Sequence, residues 1–83
     1  SKYLSLIPMP KLPVLSGKRL LRILQKHGFR EVRRKGSHVF MQGLQKEVTT
    51  VIPIHGNEDL GKGILKNILN DLEIAVEDLL DWI

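Results

Sequence analysis

The chain contains no cysteine among its 83 residues, which excludes disulfides and thiolate metal sites. It has no apolar run of the roughly 18 residues that mark a membrane helix, and no signal-peptide pattern. A soluble, cytoplasmic protein is the expectation. Aromatic residues make up 5% of the sequence; Tyr3 and Trp82 lie near the termini, so no aromatic platform for single-stranded bases is visible. Acids are scarce in the first half. Only Glu31 and Glu47 face eleven lysines and arginines in residues 1–50, a balance of +9, whereas residues 51–83 hold seven acids against two lysines, a balance of −5.

Length sets a second limit. A chain of this size makes a single domain, 1–83, and buries only about 60 to 65% of its unfolded surface. A deep site of about 300 Å³ or more is hard to build, and an open surface acting on a large ligand is the more natural expectation. A basic half is the electrostatic footprint of a polyanion binder. It is also what a solvated basic surface looks like, and composition does not choose between them.

Punctuation divides the chain. Pro8, Pro10 and Pro13 predict an extended or irregular lead-in, and Ser16 offers an N-cap oxygen to a helix that begins near Gly17 and ends at Gly28. Leu20, Ile23, Leu24 and His27 recur on one side of it, with Lys18, Arg19, Arg22 and Lys26 around the rest. Residues 29–34, 38–42 and 48–52 read as strands joined by Gly36-Ser37 and by a turn over 43–46, which predicts an antiparallel meander. His38 and Phe40 share a face of the middle strand.

Beyond a polar loop at 53–59, Leu60, Ile64, Leu65, Ile68, Leu69 and Leu72 give the strongest amphipathic pattern in the chain. Asp59 can cap that helix, and Lys62 and Lys66 lie on a separate face. Residues 75–83 form a short acidic helix with Val76, Leu79, Leu80 and Ile83 on its apolar side. The predicted fold is therefore α+β: an α-β-β-β-α sandwich with a three-stranded antiparallel sheet, helices on one face, the other face open, and a short C-terminal helix.

The chemistry is concentrated in Arg33-Arg34-Lys35-Gly36-Ser37-His38. Guanidinium and ammonium groups bind phosphate oxygens, Gly36 permits positive φ in a tight turn, and an imidazole is the side chain best suited to moving protons near neutral pH. Arg33, Arg34 and Lys35 read as phosphate contacts rather than base readers. Lys62 would add its charge to the amides of a helix N-terminus, although such a lysine is ordinarily just solvated. Gly61 and Gly63 lack the terminal Lys-Ser/Thr of a P-loop.

In this order the motifs resemble the HicA mRNA interferase toxins, whose fold is like the double-stranded RNA-binding domain. The resemblance covers residues 12–74. It rests on Leu12-Pro13-Val14-Leu15-Ser16-Gly17, Gly28-Phe29, Lys35-Gly36-Ser37-His38, Ile52-Pro53-Ile54-His55, and Leu60-Gly61-Lys62-Gly63-Ile64-Leu65-Lys66-Asn67-Ile68-Leu69. It implies a toxin of a type II toxin-antitoxin pair: a ribosome-independent endoribonuclease that cleaves mRNA, is neutralised by a cognate HicB-type antitoxin, and uses the histidine that ends Gly-Ser-His, here His38. Residues 1–11 and the acidic helix at 75–83 lie outside it.

Each histidine has a plainer reading. His38 can be a strand residue satisfied by a backbone carbonyl, but its cationic neighbours and the motif favour general acid/base catalysis. His27 reads as a cation set against the end of the first helix. His55 suits either phosphate binding or capping of its own loop. With no cysteine and no acids at ligand spacing, neither a metal site nor a cofactor is expected. Two other functions fit the same sequence: a non-catalytic double-stranded RNA-binding module, and a structural protein whose basic surface holds an acidic partner.

Overall fold

A computed structural model describes residues 11–83; Pro8 and Pro10 of the proline-rich lead-in expected over 8–13 lie outside the described residues. The elements run α1 (Gly17–Gln25), β1 (Phe29–Lys35), β2 (His38–Gly43), β3 (Thr49–Pro53), α2 (Lys62–Leu72) and α3 (Val76–Trp82). The strands form one antiparallel sheet in the order β1-β2-β3. This is the α-β-β-β-α arrangement with an additional short helix.

Ser16 caps α1 as its side chain implies, its Oγ accepting from the amide of Arg19 at 3.1 Å. The helix ends at Gln25, earlier than Gly28, and Gly28 completes the exit with φ of 90°. Leu20, Leu21, Ile23 and Leu24 are buried on its inner side, against Val39, Met41 and Ile52 of the sheet and Leu65, Ile68, Leu69 and Leu72 of α2. Leu21 is an addition to the stripe read from the sequence. The wholly buried Val39 and Met41 alternate with exposed His38 and half-buried Phe40 along β2. One face of the sheet therefore carries the core and the other faces solvent.

Three expectations change. Asp59 does not cap α2: the N-cap is Gly61, without a side-chain cap, and Asp59 instead pairs its backbone with Ser16. Ile64 stands 46% exposed, outside the buried stripe of α2. On α3 only Leu79 is buried; Val76 and Trp82 pack partly buried against the core, while Leu80 and Ile83 are exposed.

Backbone contacts gather several element ends at one pole of the molecule. The Ser16–Asp59 bridge and the Leu60 amide donating to the Leu15 carbonyl at 2.8 Å set the starts of α1 and α2 side by side. Gly17 packs so closely on the end of β3 that a Cβ there would collide with the Pro53 carbonyl oxygen. Pro53 is in turn the cross-strand partner of His38. Both helix N-termini therefore point toward the end of the sheet where β2 begins.

Candidate nucleic-acid interface

The β1–β2 connection is the two-residue loop Gly36-Ser37, closed by the Lys35–His38 pair. Gly36 has φ of 58°, at the position where tight hairpins of this kind call for a left-handed residue. The Ile54 amide donates to the Ser37 carbonyl at 2.7 Å, which pins the turn to the strand end beside it. His38 is thus the first residue of β2, exposed on the open face, with Lys35 across from it on one side and Pro53 on the other. Among the described residues its ring has no hydrogen-bond partner, so both nitrogens are available to a ligand.

The next row on the same face is Arg33, Phe40 and Val51. The Arg33 guanidinium carbon lies 4.3 Å from the Phe40 ring centroid, a cation–π contact. Below it the register slips between Glu31 and Arg33, leaving Val32 as the extra residue of a bulge. Arg30 then comes opposite Gln42, with its Nη2 donating to Gln42 Oε1 at 3.3 Å. The open face thus carries a cationic edge of Arg30, Arg33 and Lys35.

Arg34 is different. It pairs with Val39, a core residue, and so points to the helix side of the sheet. The bulge brings Glu31 to that same side, where two Glu31 oxygens accept from Arg34 Nε and Nη2 at 3.3 and 3.1 Å. Those hydrogen bonds, with the carboxylate charge, hold the guanidinium above its usual pKa. This is the sole ion pair among the described residues, so Arg33 and Lys35 keep their charge for a ligand while Arg34 is already engaged.

Lys62 opens α2 and is exposed. A shallow depression of about 190 Å³ between the end of β3 and the start of α2 is lined by Pro53, His55, Gly61 and Ile64 among others. It borders the strand residue that faces His38. His55 is exposed in the loop, where its carbonyl accepts from the Glu58 amide at 3.0 Å, so the backbone rather than the imidazole closes the turn. Of the residues singled out in the sequence, Arg33, Lys35, Gly36, Ser37 and His38 come together, His55 lines the depression beside Pro53, Lys62 stands exposed at the start of α2, and Arg34 faces away. The feature that pattern reading passed over is Phe40 under Arg33: a strand aromatic beside a cation was its visible signal.

Among the described residues no three His, Asp or Glu side chains gather as a metal site, and no helix is long and apolar enough to cross a membrane. Residues 17–74 match the family model for the HicA toxin of bacterial toxin-antitoxin systems. No curated protein matches the chain.

Proposed function

The chain belongs to the HicA toxin family, and from that premise we propose that it is a ribonuclease toxin that cleaves mRNA on the open face of its sheet, with His38 as general acid/base. One observation carries the reading: an exposed imidazole with no hydrogen-bond partner among the described residues stands beside Lys35 and one row from Arg33. A phosphodiester lying on those cations has its ribose within reach of that ring.

In the proposed step, His38 takes the proton of a ribose 2′-hydroxyl and the oxygen attacks the adjacent phosphorus. The bond to O5′ breaks, and O5′ leaves with its electron pair and takes up a proton. The products are a 2′,3′-cyclic phosphate and a 5′-hydroxyl. In the converse assignment His38 is the acid that protonates O5′. Arg33, Lys35 and Lys62 offset the charge that builds on the phosphate. Among the described residues no acid is hydrogen-bonded to His38, so a Ser37–His38 nucleophilic pair lacks an orienting carboxylate there, and Ser37 acts through its turn.

A HicB-type antitoxin would neutralise this activity. The deciding experiment is His38→Ala, assayed on a defined transcript in EDTA with circular dichroism as the folding control. General acid/base catalysis contributes about 10²- to 10⁴-fold; a loss of that size, with growth inhibition gone and antitoxin binding kept, is the expected result. A folded variant that cuts at the wild-type rate removes His38 from the mechanism. Wild type that binds RNA without ever cutting it gives the case to the double-stranded RNA-binding module.

A further inference from the structure

Beside the row that carries His38, a groove of about 590 Å³ crosses from the open face of the sheet to α2. Val32, Phe40 and Val51 form its sheet side, one from each strand, and Ile64, Asn67 and Asp71 stand on its helix side. Val32, Val51 and Ile64 remain 47%, 38% and 46% exposed. Apolar side chains clustered in water in this way mark a surface that binds something.

Three observations favour a base of the RNA strand as the occupant. Phe40 lies two residues from His38 on the same face of β2, about 7 Å along the strand, a span one nucleotide covers between its phosphate and its base. The Arg33 guanidinium carbon, over the Phe40 ring at 4.3 Å from its centroid, puts beside the groove a cation of the kind on which unpaired bases stack. The helix side is polar at its far end. Asp71 Oδ2 accepts from Thr50 Oγ1 at 2.8 Å, leaving its other oxygen as an acceptor, and Asn67 adds a donor and an acceptor.

We infer that this groove is a nucleobase subsite: it holds the base next to the cleaved phosphate against Phe40, beside the Arg33 cation, and through Asn67 and Asp71 it favours bases bearing an exocyclic amino group over uracil. The inference rests on the RNA-cleaving reading of His38. An apolar protein segment would fill the Val32–Val51 side, but it would bury the Asp71 carboxylate with a hydroxyl partner and no cation beside it among the described residues.

The test uses 2′-O-methyl pentamers, which lack the attacking hydroxyl, made of adenine, of cytosine, of uracil and of abasic ribose. They are titrated against the full chain by fluorescence anisotropy. Stacking of this kind makes a base-bearing strand bind about 5- to 100-fold more tightly than an abasic one, and uracil should fall between the two. Asn67→Ala, an exposed change, should narrow the gap between adenine and uracil. Phe40→Leu keeps apolar bulk and removes the ring, and should bring every pentamer toward the abasic affinity.

Equal affinity for abasic and base-bearing pentamers, with transcript cleavage intact, overturns the subsite and leaves the nuclease reading standing. Wild type that neither binds the pentamers nor cuts transcript overturns both. A dimer in sedimentation velocity that Ile64→Ser converts to monomer, with pentamer affinity unchanged, assigns the groove to a second copy of the chain and overturns the subsite as well.

Discussion

The imidazole of His27 lies flat on the indole of Trp82, ring centroids 4.5 Å apart and planes 7° from parallel. The stack ties the turn after α1 to the end of α3. Together with the fully buried Leu79 it anchors the acidic helix, which lies beyond the family match at residue 74. His27 sits at the opposite end of α1 from Gly17, and therefore away from the pole where β2 begins.

Because Trp82 is the single tryptophan, its fluorescence reports directly on this docking. His27→Ala should red-shift the emission and lower stability by about 0.5 to 1.5 kcal/mol, the usual worth of a stacked pair beyond its buried area. RNA cleavage should be unchanged. Urea unfolding followed by tryptophan emission measures the first two; a variant with native emission and midpoint would mean that the stack does not hold α3.

Gly17→Ala should destabilise the fold by about 1 to 3 kcal/mol, as overpacking of a close contact does. The new methyl meets the Pro53 carbonyl oxygen, a backbone atom that cannot rotate aside. Pro53 faces His38, so any variant molecules that do fold should also lose activity. Thermal melts compared with those of Lys18→Ala, one residue on at an exposed position, separate a steric effect from one of helix propensity.

Under the proposed function, RNA binding should weaken with salt by a log–log slope of about 0.7 per phosphate contacted on a single strand. Lys35→Glu should lower both the affinity and the slope. Arg34→Glu should do less, since Arg34 lies across the sheet and is paired with Glu31. Filter binding from low to high salt tests this. Affinity flat with salt, or equal losses for the two variants, would sink the assignment of the open face.

An antitoxin that neutralises by occlusion has to cover His38 and the cationic edge of Arg33 and Lys35. RNA and antitoxin should then compete, with apparent RNA affinity falling in proportion to antitoxin added. A ternary complex that retains full RNA affinity would mean that inhibition acts through a conformational change instead.

Much of the architecture was legible because its signals are local. The spacing of Leu65, Ile68, Leu69 and Leu72, the oxygen of Ser16 before α1, and the glycine of the Lys35–His38 turn each act within a few residues of themselves, so the order of elements and the meander follow from neighbours along the chain. The motifs around Gly36-Ser37-His38 and α2 already pointed to the family. Long-range packing decided the rest. Nothing local announces the bulge at Val32, yet it turns Arg34 to the helix side and leaves Arg33 over Phe40. The exposure of Ile64 depends on how α2 lies along β3, and the partner of His27 is a residue on another helix. Periodicity tells which residues share a face of one element; which elements that face meets, and in what register, is settled only when distant segments compete to bury their apolar sides.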